Sequence, residues 1–357
     1  MTQRVTRRRW LGARSAVVGS AMTLTAALAA VAGTAGAAAA IPAAGTTRAV
    51  ADCAARASAA RAVRAAADST PPARATVGAP KERISYSLPD QAPIGLWTQG
   101  GITLRAPVTK GTVRLDVDSR GFSTDSLSVQ RYLPEKRRWV DLDTRPSGAD
   151  APQHGVFTFP LTASASADHP YTVALRFQDL DRPGGFTVTA SVDDGKGHTF
   201  RAPARTASAT RPDVSVTGWQ RRTALARGGS ASEATVTVKN TTDRPYPALR
   251  ASYFAYGQGT AHALTPKDLI LQQYRPGHGW ERVALVAGGC DPGMSAALRP
   301  ADAKPLAPGA TVVYRIRVAV APDAPRDVTT AQAGISVGNG DLAFFSRDLP
   351  FTIEDKK

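Results

Sequence analysis

Four pairs of closely spaced carboxylates are the groups in this chain whose types suit acid–base or metal chemistry: Asp116 with Asp118, Asp141 with Asp143, Asp179 with Asp181, and Asp193 with Asp194. Two carboxylates at a suitable separation suffice for glycoside hydrolysis, and turn carboxylates can converge on calcium. Asp116-x-Asp118-x-x-Gly121 fills the opening positions of a calcium-binding loop, yet Leu127 stands where the loop requires its bidentate Glu. Aspartate is also an ordinary turn residue, because its side chain bonds the backbone two residues on. The four pairs are therefore read as solvated turn residues. His154, His169, His198, His262 and His278 show no metal-ligand spacing, and two cysteines do not complete a structural zinc site. No metal and no cofactor is expected. No Gly-x-Ser-x-Gly elbow, His-Glu-x-x-His pair or glycine-rich phosphate loop occurs. The chain reads as non-enzymatic, with an exported hydrolase of carboxylate chemistry as the enzyme-class alternative.

Flat aromatic side chains suggest a different chemistry, that of binding. Leu127-x-Val129-Gln130-x-Tyr132-x-Pro134 returns as Leu269-x-Leu271-Gln272-x-Tyr274-x-Pro276, with Trp139 and Trp280 following each copy. Side chains alternate along a strand, so Leu127 and Val129 share one face while Gln130 and Tyr132 share the other. Val140 and Leu142 continue the apolar face after the turn, as do Val283 and Leu285 in the second copy. This places Tyr132 beside Trp139 and Tyr274 beside Trp280, away from the core. Such pairs resemble the stacking platforms on which binding modules hold sugar rings. They equally fit cross-strand clamps that hold a hairpin shut, which sheet physics requires without any ligand.

The elements that position these residues are strands. From about residue 81 the chain alternates apolar and polar residues in short runs punctuated by Gly, Pro and Asp, at 111–117, 127–131, 155–159, 171–177 and 186–192. A second series follows at 234–238, 250–256, 269–272, 282–286, 311–318, 334–337 and 349–353. The hairpin repeats at an offset of 142 residues at its leucines, and 171–177 aligns with 314–320 at an offset of 143. Seven or so strands per copy predict two tandem two-sheet sandwiches of immunoglobulin-like type. Leu115 and Val117 match Val236 and Val238 at an offset of only 121. That difference implies an insertion of about 21 residues in the second copy, within 240–267, with 250–256 as an added strand.

The N-terminus supplies the compartment. Arg4, Arg7, Arg8, Arg9 and Arg14 precede an acid-free apolar stretch at 16–32 and then a run of small residues, the pattern of a secretory signal peptide. Residues 6–12 resemble the twin-arginine export motif, with Trp10 and Gly12 departing from it. The following segment, 38–80, is rich in Ala, Arg, Thr and Pro and reads as a disordered linker. Just over half of the formal charge of +15 sits at this end: residues 1–80 hold ten Arg and two Asp, which leaves +7 for the rest. Basic residues beyond 80 are scattered among acids, so nucleic acid is not an expected partner. Cys53 has neither the small residue nor the adjacent apolar segment of a lipid-attachment site. In an exported chain it stands open to pairing with Cys290. The tail at 349–353 reads as a last strand, since no apolar segment follows it, and no membrane span is expected in the mature chain.

The Ala- and Arg-rich leader joined to tandem sandwiches resembles secreted actinobacterial-type proteins with immunoglobulin-like domains. The resemblance implies export and no particular activity. The expected layout is a signal peptide at 1–37, the linker at 38–80, and all-β domains at 81–206 and 207–357. The expected function is a secreted, non-enzymatic binding or structural protein whose partner is a cell-wall polymer, a glycan or another secreted protein. Tyr132, Trp139, Tyr274 and Trp280 are its candidate ligand-stacking residues.

Overall fold

The structure is a computed structural model that describes residues 72, 82–146, 152–288, 293–300, 304–339 and 342–356. The expected signal peptide, most of the linker, Cys53 and Cys290 lie outside the described residues. Among the described residues the regular structure is almost wholly β. A first set of strands comprises β1 (Ile84–Ser87), β2 (Gln91–Pro93), β3 (Thr98–Leu104), β4 (Val108–Arg120), β5 (Leu127–Leu133) and β6 (Arg138–Asp141). It continues with β7 (Thr144–Pro146), β8 (His154–Ala163), β9 (Tyr171–Asp179), β10 (Gly184–Asp193), β11 (Thr199–Arg201) and β12 (Arg205–Thr210). The second set comprises β13 (Asp213–Thr217), β14 (Thr223–Ala226), β15 (Ser232–Lys239), β16 (Arg250–Tyr256), β17 (Leu269–Arg275) and β18 (Gly279–Arg282). It ends with β19 (Val286–Ala287), β20 (Met294–Leu298), β21 (Thr311–Val320), β22 (Thr330–Asn339), β23 (Leu342–Asp348) and β24 (Phe351–Glu354).

The two sets repeat one another strand for strand. The first forms a five-stranded sheet in the order β1-β3-β9-β5-β6 and a second sheet in the order β2-β12-β10-β4-β8-β7, with β11 also on β10. The second forms β13-β15-β21-β17-β18 and β14-β24-β22-β16-β20-β19, with β23 on β22. Even the parallel pairings recur, β2 with β12 and β14 with β24. Period-two alternation sends one face of each sheet inward: Val113, Leu115 and Val117 of β4 are fully buried, as are Leu175 and Phe177 of β9. Phe177 of one sheet meets Phe186 of the other with ring centroids 6.0 Å apart, closing the first sandwich.

Three expectations from the sequence need correction. First, β16 is not an added strand. It takes the place of β4 in the second set, and the counterpart of β15 in the first set is β3. β3 escapes a pattern search because Gly100 and Gly101 interrupt its alternation; a Cβ at Gly100 would lie 2.7 Å from the Ser87 carbonyl of β1. Once β3 is restored, no 21-residue insertion remains, and what lengthens is the connection between these strands, from 105–107 to 240–249. Second, Gln130 lies opposite Arg176 and Gln272 opposite Arg317, so β9 and β21 correspond at an offset of 141 rather than 143. A slip of two residues leaves an alternating pattern unchanged. Third, the expected strand at 282–286 is broken: β18 ends at Arg282 and β19 begins at Val286. The first set's last strand, β12, also crosses the expected division at 206–207.

The lengthened connection joins the two sets. Asn240, fully buried, donates through Nδ2 to the carbonyls of Arg244 and Leu306, and its Oδ1 accepts from the N–H and hydroxyl of Thr242. This shapes the loop so that the hydroxyl of Tyr246 donates to the Ile94 carbonyl at 2.9 Å and Arg244 donates to the Trp97 carbonyl at 3.0 Å. Asn339 donates to the Gly95 carbonyl at 2.8 Å, and Arg211 donates to the Phe344 carbonyl at 2.8 Å. Gly95 has φ +75°, and a Cβ there would lie 2.6 Å from Asn339 Oδ1, so the close approach itself requires glycine. Tyr246, Arg244, Asn339 and Arg211 thus each donate to a backbone carbonyl of the other set, which fixes the mutual placement of the sets, while Asn339 Oδ1 is buried with no hydrogen-bond partner among the described residues.

Candidate binding surface

The outer face of the first five-stranded sheet is built around an arginine. Arg176 of β9 lies between two rings, 4.1 Å from the centroid of Trp97 and 4.5 Å from that of Trp139. Its Nε donates to Gln130 Oε1 at 2.6 Å, and Gln130 Nε2 donates to Asp141 Oδ1 at 2.8 Å. Tyr132 meets Trp139 directly across the β5–β6 hairpin, edge to face, with centroids 5.3 Å apart. Arg176 and Trp139 are each only 4% exposed and Gln130 is 1% exposed. Burial of a guanidinium is tolerable here because stacked rings and a polar network replace its water. Trp139 is thus packed across the hairpin between Arg176 and Tyr132.

The second set rebuilds the motif with substitutions that open it. Arg317 Nε donates to Gln272 Oε1 at 2.7 Å and its guanidinium lies 4.6 Å from the Trp280 ring. Tyr274 faces Trp280 across β17–β18 with centroids 5.6 Å apart. Arg315 lies over Tyr274 at 4.7 Å and reaches Glu233 at 3.5 Å. Register puts Arg282 where Asp141 stands and Ala231 where Trp97 stands. Trp280, Gln272 and Arg317 are consequently only half-buried. The structure thus brings the four sequence-selected residues together as two separate pairs. Sequence reasoning missed the arginines that organise them, although an Arg between apolar neighbours, Leu175-Arg176-Phe177 and Ile316-Arg317-Val318, was the available signal.

Each set also carries a groove between its two sheets at the hairpin edge. In the first set a volume of about 630 Å³ is lined by Arg131, Tyr132, Pro134, Phe159 and Tyr171, and by Pro72 from the N-terminal segment. The one cationic lining group among the described residues is engaged: Arg131 donates to the Pro160 carbonyl at 3.1 Å and lies 4.8 Å over the Phe159 ring. The groove of the second set, about 870 Å³, is walled by Arg250, Arg275, Arg282 and Arg299, with Glu281 the one acid among the described residues that line it.

Several of the paired carboxylates depart from the expected solvated-turn reading: Asp116 and Asp118 lie within β4, and Asp194 is 7% exposed. Asp116 pairs with Arg114 at 2.6 Å, Asp118 with His154 at 2.6 Å, and Asp193 and Asp194 accept the N–H groups of Gly195 and Lys196. Asp179 departs from the expected solvated reading. It is 1% exposed, Oδ1 accepts from Asp181 N–H at 3.0 Å, and Oδ2 is buried with no hydrogen-bond partner among the described residues. Burial pushes its carboxyl up to about 6. Among the described residues no group of three or more His, Cys, Asp or Glu gathers to hold a metal, and no helix is long and apolar enough to cross a membrane.

No family model matches the chain, and no curated protein matches it. Among solved structures, the C-terminal domain of the Streptococcus pyogenes antigen I/II-family protein AspA aligns at 8% identity with a TM-score of 0.39, covering 76% of this chain and 99% of that one. The BSP domain of a biofilm associated protein aligns at 6% identity and 0.26, covering 80% of this chain and 61% of that one. A cohesin module from a Clostridium perfringens ATCC13124 family 33 glycoside hydrolase aligns at 8% identity and 0.25, covering 36% and 95%. Likenesses this remote carry no argument about function.

Proposed function

We propose that this is an exported, non-enzymatic protein in which two immunoglobulin-like sandwiches, dividing at residues 211–212, act as one rigid body that binds or spaces components of the cell surface. The observation that carries the reading is the seam: the buried Tyr246 on Ile94, with the half-buried Arg244 on Trp97 and Asn339 on Gly95, ties the two sandwiches together. A chain that needed only two tethered modules would not require such a junction, since domain motion is the default where an interface is small. The positively charged and apolar N-terminal stretch supports export, and the engagement of most carboxylates in turns and ion pairs supports a binding role over catalysis. Fractionation of the producing cells, followed by assays of the exported protein on polysaccharide, peptide and ester substrates, tests the reading. Exported protein without turnover agrees with it; turnover on any of these contradicts it.

A second reading, recognition of a glycan or wall polymer by aromatic stacking, is favoured at Trp280 and Tyr274 by their partial exposure. It is disfavoured at Trp139 by that residue's burial.

A further inference from the structure

We propose that the groove walled by Arg250, Arg275, Arg282 and Arg299 is a binding site for an anionic polymer bearing phosphate or carboxylate groups along its length. The inference rests on the binding role above and names the chemistry of the partner. The four arginines converge from different strands: Arg250 opens β16, Arg275 ends β17, Arg282 ends β18 and Arg299 follows β20. Gln273, itself buried, accepts the Arg299 N–H at 3.0 Å and donates to its carbonyl at 2.5 Å, which pins that backbone at the groove. Glu281, the one acid among the described lining residues, lies 3.8 Å from His278.

Among the described residues none of the four guanidinium groups has a hydrogen bond or an ion pair, whereas Arg114, Arg227 and Arg315 do. Unpaired cations on the walls of a concavity raise its positive potential and draw in anions. A guanidinium offers a planar fork that matches phosphate and carboxylate oxygens, so the chemistry left unsatisfied is that of an oxyanion. The first set shows that the fold does not demand this arrangement. Its groove holds one arginine, already bonded, amid Tyr132, Phe159 and Tyr171. Single-stranded nucleic acid sites interleave basic residues with aromatic platforms; among the described residues no aromatic side chain lines the groove of the second set, which favours a polymer without bases.

The test uses the full chain and four probes: a poly(glycerol phosphate), polygalacturonate, neutral dextran, and single-stranded DNA. The variant Arg250→Gln/Arg282→Gln/Arg299→Gln removes three exposed cations. Arg205→Gln/Arg221→Gln/Arg222→Gln removes three exposed cations elsewhere and matches its change in charge. Both variants are first checked for an unchanged melting temperature. The groove predicts binding of at least one anionic polymer and none of dextran. It also predicts a loss of about tenfold or more in the groove variant, a shallower dependence on salt, and less than about twofold change in the control. Preference between the two anionic probes identifies the oxyanion. Equal losses in both variants would reduce the groove to generic charge. DNA bound more tightly than either polymer would overturn the ligand class. Failure of all probes, with retention on whole cell wall intact, would discard this site while leaving the broader binding role standing.

Discussion

The hydroxyl of Tyr246 lies 2.9 Å from the carbonyl oxygen of Ile94, and both residues are fully buried. One belongs to the loop between β15 and β16, the other to the segment between β2 and β3. Burial raises the Tyr246 hydroxyl well above the usual tyrosine range, keeping it a donor at any physiological pH. Tyr246→Phe strands a buried carbonyl, at a cost of about 1–3 kcal/mol, and Tyr246→Ala adds a cavity for a total of about 3–5 kcal/mol. In denaturant, the wild-type chain is expected to unfold with coincident fluorescence and circular-dichroism transitions, and Tyr246→Ala to separate them. Unchanged stability in both variants would show that the seam does not couple the sandwiches.

The aromatic pairs predict unequal mutants. Trp139→Ala removes a buried side chain that contacts Arg176 and Tyr132 and should cost about 3–5 kcal/mol. Trp280→Ala removes a half-buried one and should cost about 1–2 kcal/mol. Equilibrium unfolding measures both. Equal, small effects would contradict the clamp in the first set.

Arg176 separates stacking from charge. Arg176→Lys keeps the charge but loses the plane between Trp97 and Trp139 and the Nε donor to Gln130, a loss of about 2–3 kcal/mol. The matching change at the half-buried Arg317 should cost less. A double-mutant cycle with Gln130→Leu should return a coupling energy of about 1 kcal/mol, and a coupling near zero would remove the hydrogen bond from the account.

Asp179 gives a pH dependence of defined sign. Its folded carboxyl titrates near 6, raised by burial above the ordinary 3.8. Between those values the folded chain holds a proton that the unfolded chain has released. The stability this group contributes is therefore full below about pH 4 and is lost as pH rises through about 6. Asp179→Asn keeps the Oδ1 acceptor for Asp181 N–H, so it should stabilise the protein at pH 7.5 by about 2 kcal/mol and flatten the stability profile between pH 4 and 6. A destabilising Asp179→Asn would mean that the buried carboxylate has an unseen cationic partner.

The sequence carried the all-β character and the hairpin repeat because alternation survives in uninterrupted runs such as β16 and β21. It hid β3, where Gly100 and Gly101 blank the pattern, and that one omission turned the counterpart of β4 into an apparent insertion. The two-residue slip between β9 and β21 was invisible for a related reason: Tyr171, 38% exposed at a strand start, and Tyr314, fully buried mid-strand, occupy the same phase of an alternating pattern. The seam was illegible because its acceptors are backbone carbonyls of Ile94, Gly95 and Trp97, which no residue type announces. The arginine groove was hidden by dispersion, since its four cations lie on or just beyond separate strands between positions 250 and 299 and only the fold gathers them.

The central claim, that a rigid and non-catalytic body binds the cell surface, is tested most directly by incubating the full chain with purified cell wall at low and high salt. Bound protein and released soluble sugar are measured together. The account predicts retention on the wall at low salt with no release of soluble fragments. Protein that stays in solution at low salt, or that liberates fragments over time, would contradict it.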